Sequence, residues 1–322
     1  MENSDQQPVT VAADAPIVVV INAGSGAQGE DERLTTLRRV FDEAGRRHEI
    51  HPIEHAASIT RIAEAAVARA VEIGGIVAAA GGDGTLNAVA QVAVEAGCVF
   101  GAIPQGTFNY FGRAHGIPQD SERAARALLR ASVTPVQVGQ VNGRIFLVNA
   151  SLGLYPELLE DRETYKRRFG RARWVALLSG LATMLRRHRQ LELDIQMADH
   201  VKHLRTPTLF VGNNMLQFER LGLDAAVDAL ERGQLAAVAM NPIGTAAMLG
   251  LALRGAIGRL GEAGNFTRLI FRRLTVHPRG HPRIKVATDG EIHWLRAPLV
   301  FEVAPRPLQL LVPVPEDRAE VA

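Results

Sequence analysis

Between Ile17 and Pro104 short apolar runs alternate with longer amphipathic ones. "IVVVIN" (17–22), "HEIHPI" (48–53), "IVAAA" (76–80) and "VFGAIP" (99–104) have strand length. The segments between them have helical spacing. Residues 30–45 place Leu34, Leu37 and Phe41 on one stripe and end on Gly45, suited to a C-cap. Residues 58–75 start at Ser58, a plausible N-cap, and "TLNAVAQVAVEAG" comes after the third run. Parallel neighbours need a crossover long enough to hold a helix, so this β-α-β-α-β-α-β order predicts a parallel sheet covered on both faces.

After about Thr134 the texture changes. "TPVQVGQVNGRIFLVNASLG" holds two β-rich runs around Asn142-Gly143, a hairpin signal. A helical stretch spans about 155–190. Then come "LELDIQM", "PTLFVGN", "QLAAVAM", "RLTVHP", "PRIKVATDG" and "PLVFEVAP", short strands separated by turn residues. The 322 residues suit two domains. The expectation is an α/β chain: an N-terminal parallel α/β domain over 16–136, then a largely antiparallel, β-rich domain with helices over 137–313. Residues 1–15 and 314–322 are expected to be disordered.

Composition narrows the partners. Aromatic residues are only 5% of the chain, against a nucleic-acid protein built on base stacking, and a net charge of +2 names no partner by itself. Cys98 is the only cysteine, which forbids an intrachain disulfide and a cysteine zinc site and favours a cytoplasmic protein. The first fifteen residues are polar and lack the basic and apolar regions of a signal peptide. The longest uncharged run, Gly233–Leu253, is broken by "NPIG" and reads as strand, turn and helix start, not as a membrane span.

The stretch "AAGGDGTLN" (79–87) places three glycines where a strand hands over to a helix. Glycine lets backbone amides approach a ligand, and a helix N-terminus adds a positive dipole end, so Gly81, Gly82, Gly84 and Thr85 could cradle a phosphate. Taken alone, the same stretch reads first as a tight turn with Asp83 as a helix cap. Its spacing is neither a Walker A nor a dinucleotide fingerprint. Two further loops fall at ends of the same predicted sheet: "NAGSG" (22–26), and "PQGTFNYFG" (104–112) with Gly106, Thr107 and Asn109.

"NAGSG", "GGDGTLN", "PQGTFNYFGRAHGIP", "NASLG" and "DGE", in that order, resemble the diacylglycerol kinase-like lipid kinases. The resemblance implies two domains with a nucleotide cleft between them. It implies ATP phosphates held by Gly81, Gly82, Gly84 and Thr85, with Asn22, Ser25, Thr107 and Asn109 lining the pocket and Asn87 positioning the loop. Asp83 would hold Mg²⁺ or orient the acceptor hydroxyl, and Glu291 would take the acceptor proton. Asp83→Ala is then expected to abolish transfer and leave the fold. "DGE" by itself is also a plain hairpin turn. Three positions depart from the family pattern. Arg232 stands where an aspartate binds a structural metal, which excludes that metal site. Tyr110 replaces an acidic residue, and Ala23 a proline.

Two segments are basic. Residues 162–189 hold nine Lys or Arg and one acid around "WVALLSGLATML", and 249–285 hold eight bases against Glu262. Basic ends around an apolar, Trp-bearing centre suit a helix lying on an anionic membrane surface, and equally a core helix with solvated ends. The sequence therefore predicts an ATP- and Mg²⁺-dependent kinase of diacylglycerol or a related lipid. It would be cytoplasmic and peripheral at the inner face of the membrane, with no nucleic-acid partner and an oligomeric state left open. The alternatives are a soluble kinase of the NAD kinase type and a nucleotide-binding regulator without turnover.

Overall fold

Strand β1 (Ile17–Asn22) lies parallel to β2 (His48–Ile53) on one side and β3 (Ile76–Gly81) on the other; β3 is parallel to β4 (Phe100–Pro104). β1 and β3 read as unbroken apolar runs because both their faces are covered, and their apolar side chains are almost fully buried. The intervening helices are α1 (Ala27–Glu43), α2 (Ile59–Glu72) and α3 (Asp83–Ala96). α3 ends on Gly97 in the left-handed region, as a C-cap glycine should. Ser58 stands at the N-cap of α2, but its hydroxyl donates to the His55 carbonyl instead of capping the helix.

This computed structural model describes residues 11–22, 27–106, 108–154, 156, 190–197, 200–220, 223–241 and 266–320. Ser25, Thr107 and Ala23, the basic segment 162–189, and residues 249–265 of the second basic segment lie outside them. The chain divides into two units, 1–137 with 305–322 and 138–304. The second unit ends at 304, and the chain beyond it rejoins the first. β18 (Leu308–Val312) returns to the first sheet, parallel to β4 and antiparallel to β5 (Ser132–Val136), giving the order β2-β1-β3-β4-β18-β5. Leu308 and Leu310 are fully buried there, which fixes the chain end by apolar burial.

Described residues near both ends of the chain make contacts with the first unit. Ala15 is buried, and its carbonyl accepts from Arg46 Nε at 2.9 Å. Beyond Pro313 a 3₁₀ turn (Pro315–Asp317) forms, Asp317 pairs with Arg130, and the Ala319 amide donates to the Gly116 carbonyl at 2.9 Å. Each of these polar groups has a partner in the first unit.

α4 (Tyr110–Ala114) and α5 (Ser121–Leu128) complete this unit, α5 capped by the Asp120 side chain on the Arg123 amide at 2.9 Å. His115 comes directly after α4 and stands edge-on to Phe111, with ring centroids 4.8 Å apart. Burial lowers its pKa to about 4. Below about pH 6.5 the unfolded chain protonates this histidine and the folded one does not. Its contribution to stability is therefore complete above that pH and lost as the pH falls toward 4. Melting temperatures of wild type and His115→Leu should diverge between pH 7 and pH 4, the wild type falling more steeply; parallel curves would refute this.

The second unit is antiparallel. β6 (Gly139–Val141) and β7 (Arg144–Phe146) form the expected hairpin, turning through Asn142 and Gly143, both at positive φ. With β9 (Leu191–Met197), β10 (His200–Thr206), β14 (Arg273–Pro278) and β17 (Leu299–Val303) they build a six-stranded sheet ordered β10-β9-β14-β17-β6-β7. A second six-stranded sheet runs β13-β12-β11-β8-β15-β16. Its strands are β8 (Asn149–Gly153), β11 (Thr208–Gly212), β12 (Leu235–Met240), β13 (Phe266–Phe271), β15 (Arg283–Thr288) and β16 (Glu291–Arg296). Leu193, Ile195, Val276 and Phe301 of one sheet share a core with Leu152, Val211, Ala237 and Val286 of the other. The outer face of β11 and β12 is covered by α6 (Met215–Arg220) and α7 (Asp224–Glu231) through Phe218, Leu223 and Ala226. β12 is consequently buried on both faces, while β9, with one open face, alternates.

Candidate functional site

β3 ends at Gly81, and Gly82 is the N-cap of α3. Gly82 has no side chain to cap the helix, and the amides of Asp83 and Gly84 find no partner among the described residues. The Thr85 and Leu86 amides both bond to the Gly82 carbonyl. The glycines here are needed for close approach. A Cβ on Gly81 would stand 2.6 Å from the Thr85 Cβ, and one on Gly106 would stand 2.9 Å from the Gly82 Cα. The loops after β3 and β4 are thus pressed together, and the Gln105 amide donates to the Gly81 carbonyl at 2.7 Å.

Asp83 ties the same loops from the other side. The backbone amides of Phe111, Tyr110 and Asn109 at the start of α4 face its carboxylate closely enough to favour its charged form. Burial pushes its pKa up, and those amides pull it back. Its Oδ1 is buried without a hydrogen-bond partner. Alanine at 83 would remove the carboxylate from beside those amides.

Asn22, Thr85, Asn87 and Asn109 gather around this turn. The Asn22 amide donates to the Thr85 hydroxyl at 3.3 Å, tying the end of β1 to the first turn of α3. Thr85 and Asn87 are buried. Asn109, expected to line the pocket, bonds within its own loop. Its Oδ1 accepts from the Gly106 amide at 2.8 Å and its Nδ2 donates to the Gly106 carbonyl at 2.9 Å, so its side chain is spent on shaping the loop. Its left-handed backbone, φ 48°, is one that asparagine tolerates.

Gln105 was missed in the sequence. Both polar atoms of its side chain are buried without a partner, one residue before Gly106. Its place inside "PQGT" was a signal, but only the fold shows the amide to be unsatisfied. Tyr110 stacks on Phe108 with ring centroids 5.8 Å apart and planes 4° from parallel.

Glu291 belongs to the second unit, where it opens β16. Asp289 and Gly290, at φ 47° and 90°, form the two-residue turn from β15 that "DGE" suggests. Asp289 also accepts from the amides of Leu147, Val148 and Asn149 at 2.7, 2.9 and 2.9 Å. Glu291 is exposed, and its side chain has no hydrogen bond or ion pair among the described residues. Arg232 is exposed at the C-terminus of α7, a turn that offers no metal ligand at that position. No group of three or more His, Cys, Asp or Glu suited to a metal occurs among the described residues. The lone Asp83 oxygen fits an ion carried in with phosphates rather than one caged by the protein.

Residues 16–141, which include the whole glycine turn and the Asp83 clamp, match the family model of the diacylglycerol kinase catalytic domain. Over these residues the chain is similar to the catalytic domain of diacylglycerol kinases. A diacylglycerol kinase of Bacillus subtilis (strain 168) is 34% identical over 146 residues, 44% of this chain and 47% of that protein. A diacylglycerol kinase of Staphylococcus aureus (strain MRSA252) is 29% identical over 215 residues, covering 65% of this chain and 66% of that one. The chain thus spans about half the length of the first relative and just under two thirds of the second. A solved structure of a diacylglycerol kinase from Bacillus anthracis superposes with a TM-score of 0.64 at 17% identity, covering 94% of this chain and 97% of that one. At that identity the likeness concerns the fold.

Proposed function

We propose that the chain is an ATP- and Mg²⁺-dependent kinase that phosphorylates a hydroxyl of diacylglycerol or a related lipid. The observation that carries the reading is the Gly82–Thr85 turn, whose uncapped first-turn amides stand beside an unpartnered carboxylate oxygen of Asp83. Amides at a helix N-terminus favour an anion, and phosphoryl transfer depends on positioning and charge neutralisation more than on covalent help. A bound Mg²⁺ would neutralise phosphate charge, with Asp83 as its protein ligand.

In this reading the amides of Asp83 and Gly84 hold the phosphates. Gly81, Gly82 and Gly106 keep the loop thin enough for them to approach, and Asn22, Thr85, Asn87 and Asn109 hold its shape. Ser25 and Thr107 contribute hydroxyls. The acceptor oxygen attacks the γ-phosphorus, the bond to the ADP oxygen breaks, and the hydroxyl proton passes to Glu291, whose exposed carboxylate has no competing partner among the described residues. Attachment to the membrane is peripheral, at its inner face. No helix among the described residues is long and apolar enough to cross a membrane.

The test is transfer of label from γ-labelled ATP into an extracted lipid pool, run beside NAD as acceptor. Labelled lipid and unlabelled NAD are expected. Labelled NAD would replace the reading with an NAD kinase-type one. Nucleotide binding without labelled product would leave a regulator, the reading that Tyr110, stacked on Phe108 at an otherwise acidic position, favours.

A further inference from the structure

The β15–β16 hairpin presents an outer face that the lipid reading has not used. Its register places Arg283 opposite Arg296 and Lys285 opposite Trp294. Side chains alternate across a strand, so these four share one face with Ala287 and Ile292, while Ile284, Val286 and Leu295 turn to the core between the sheets. β16 is an edge strand, and α6 and α7 cover the sheet over β11 and β12, not here. Trp294 is 58% exposed, and Lys285 Nζ stands 5.3 Å from its ring centroid.

The hairpin's own charge on this face is one-sided. Arg283, Lys285 and Arg296 put three cations on it and neither strand puts an acid there; Glu291, the only acid of β16, lies on the opposite face. Arg283 and Arg296 are exposed and have no ion-pair partner among the described residues. Like charges directly opposite on a sheet repel, so the fold keeps an unfavourable pair that an external anion would relieve.

We propose that this face, Arg283, Lys285, Trp294 and Arg296, docks on an anionic lipid surface. An indole rimmed by cations suits the boundary between headgroups and acyl chains, where its ring is buried while the charges stay with phosphates. A second copy fits less well, because a two-fold pairing of the edge would set three cations against three. A nucleic acid would find one exposed ring on this face where stacking proteins offer several. The inference rests on the lipid-kinase reading for its sense and adds a named surface to it, separate from the basic segment 162–189.

The experiment uses the full chain in a Trp174→Phe background, which leaves Trp294 as the only tryptophan. With phosphatidylcholine vesicles containing phosphatidylglycerol, Trp294 emission should shift to the blue and be quenched by brominated acyl chains; phosphatidylcholine alone should do neither. Arg283→Gln with Arg296→Gln should weaken partition onto the anionic vesicles by about 30-fold, from about a fivefold loss per cation, without lowering the melting temperature. Unchanged Trp294 emission while the protein still co-sediments, unchanged partition of the double variant, or tighter binding to polyuridylate than to the vesicles would each overturn the proposal. Transfer to a detergent-dispersed, short-chain diacylglycerol separates the two readings. If wild type fails there but docks, the kinase reading falls and the docking surface stands. If the double variant matches wild type there but loses vesicle binding, both stand.

Discussion

Asp83→Asn is expected to lower phosphate transfer by about 10²–10⁴-fold with little change in melting temperature, whereas Asp83→Ala lowers both. The carboxylate has two tasks that the substitutions separate. One is to face the amides of residues 109–111 at the start of α4. An asparagine oxygen can still do this, so the two loops stay joined. The other falls to the buried, unpartnered Oδ1. An amide NH₂ in its place cannot hold a cation or accept a proton. Alanine leaves the amides without that oxygen as well, a loss of about 2 kcal/mol after the relief of burying the carboxylate is subtracted. Transfer assays at saturating nucleotide and thermal melts of both variants check this. Wild-type turnover in Asp83→Asn would remove Asp83 from the reaction.

Two residues further apart in role than in sequence give the second large effect. Asp289→Ala should destabilise the second unit by about 3 kcal/mol, because three amides, those of residues 147–149, lose a charged acceptor. Asp289→Asn should cost less, since asparagine tolerates the positive φ of 47° and keeps one oxygen. Glu291→Gln, two residues on, should leave the melting temperature unchanged and reduce transfer, because its side chain is exposed and holds nothing in place among the described residues. Denaturant melts paired with the transfer assay distinguish these outcomes. A stable Asp289→Ala would refute the clamp, and a fully active Glu291→Gln would refute the proton-acceptor role.

The glycine turn was legible because its chemistry is local. Three glycines between an apolar run and an amphipathic one leave amides uncovered wherever the rest of the chain goes. The two-residue turns at Asn142-Gly143 and Asp289-Gly290 were legible for the same reason, since they need positive φ at both positions. What Asp83, Asn109 and Gln105 do was not legible. Their partners are backbone groups of other loops, or absent, and the sequence does not show which amide will stand within reach of a carboxylate.

Edge strands were hard to read for another reason. β10 and β16 carry "HVKHLRT" and "EIHWLR", polar enough to pass for loops, because an edge strand buries little and owes its shape to one neighbour's hydrogen bonds. Composition marked 249–285 as basic but did not show that Arg283 and Lys285 share a face with Arg296. Arg283 and Arg296 are thirteen positions apart and become opposite neighbours only in register.

By itself, then, the sequence determined the alternation of strands and helices up to Pro104, the antiparallel character of the chain beyond Thr134, and the turn of free amides, all set by side-chain period and backbone freedom within a few residues. Only the tertiary structure decided that the last strand returns to the first sheet, that Asp83 and Asp289 each clamp a neighbouring loop, and which charged side chains share a surface. Those depend on burial and hydrogen bonding between segments far apart in the chain, and the free energy that selects them exists only once both partners are in place.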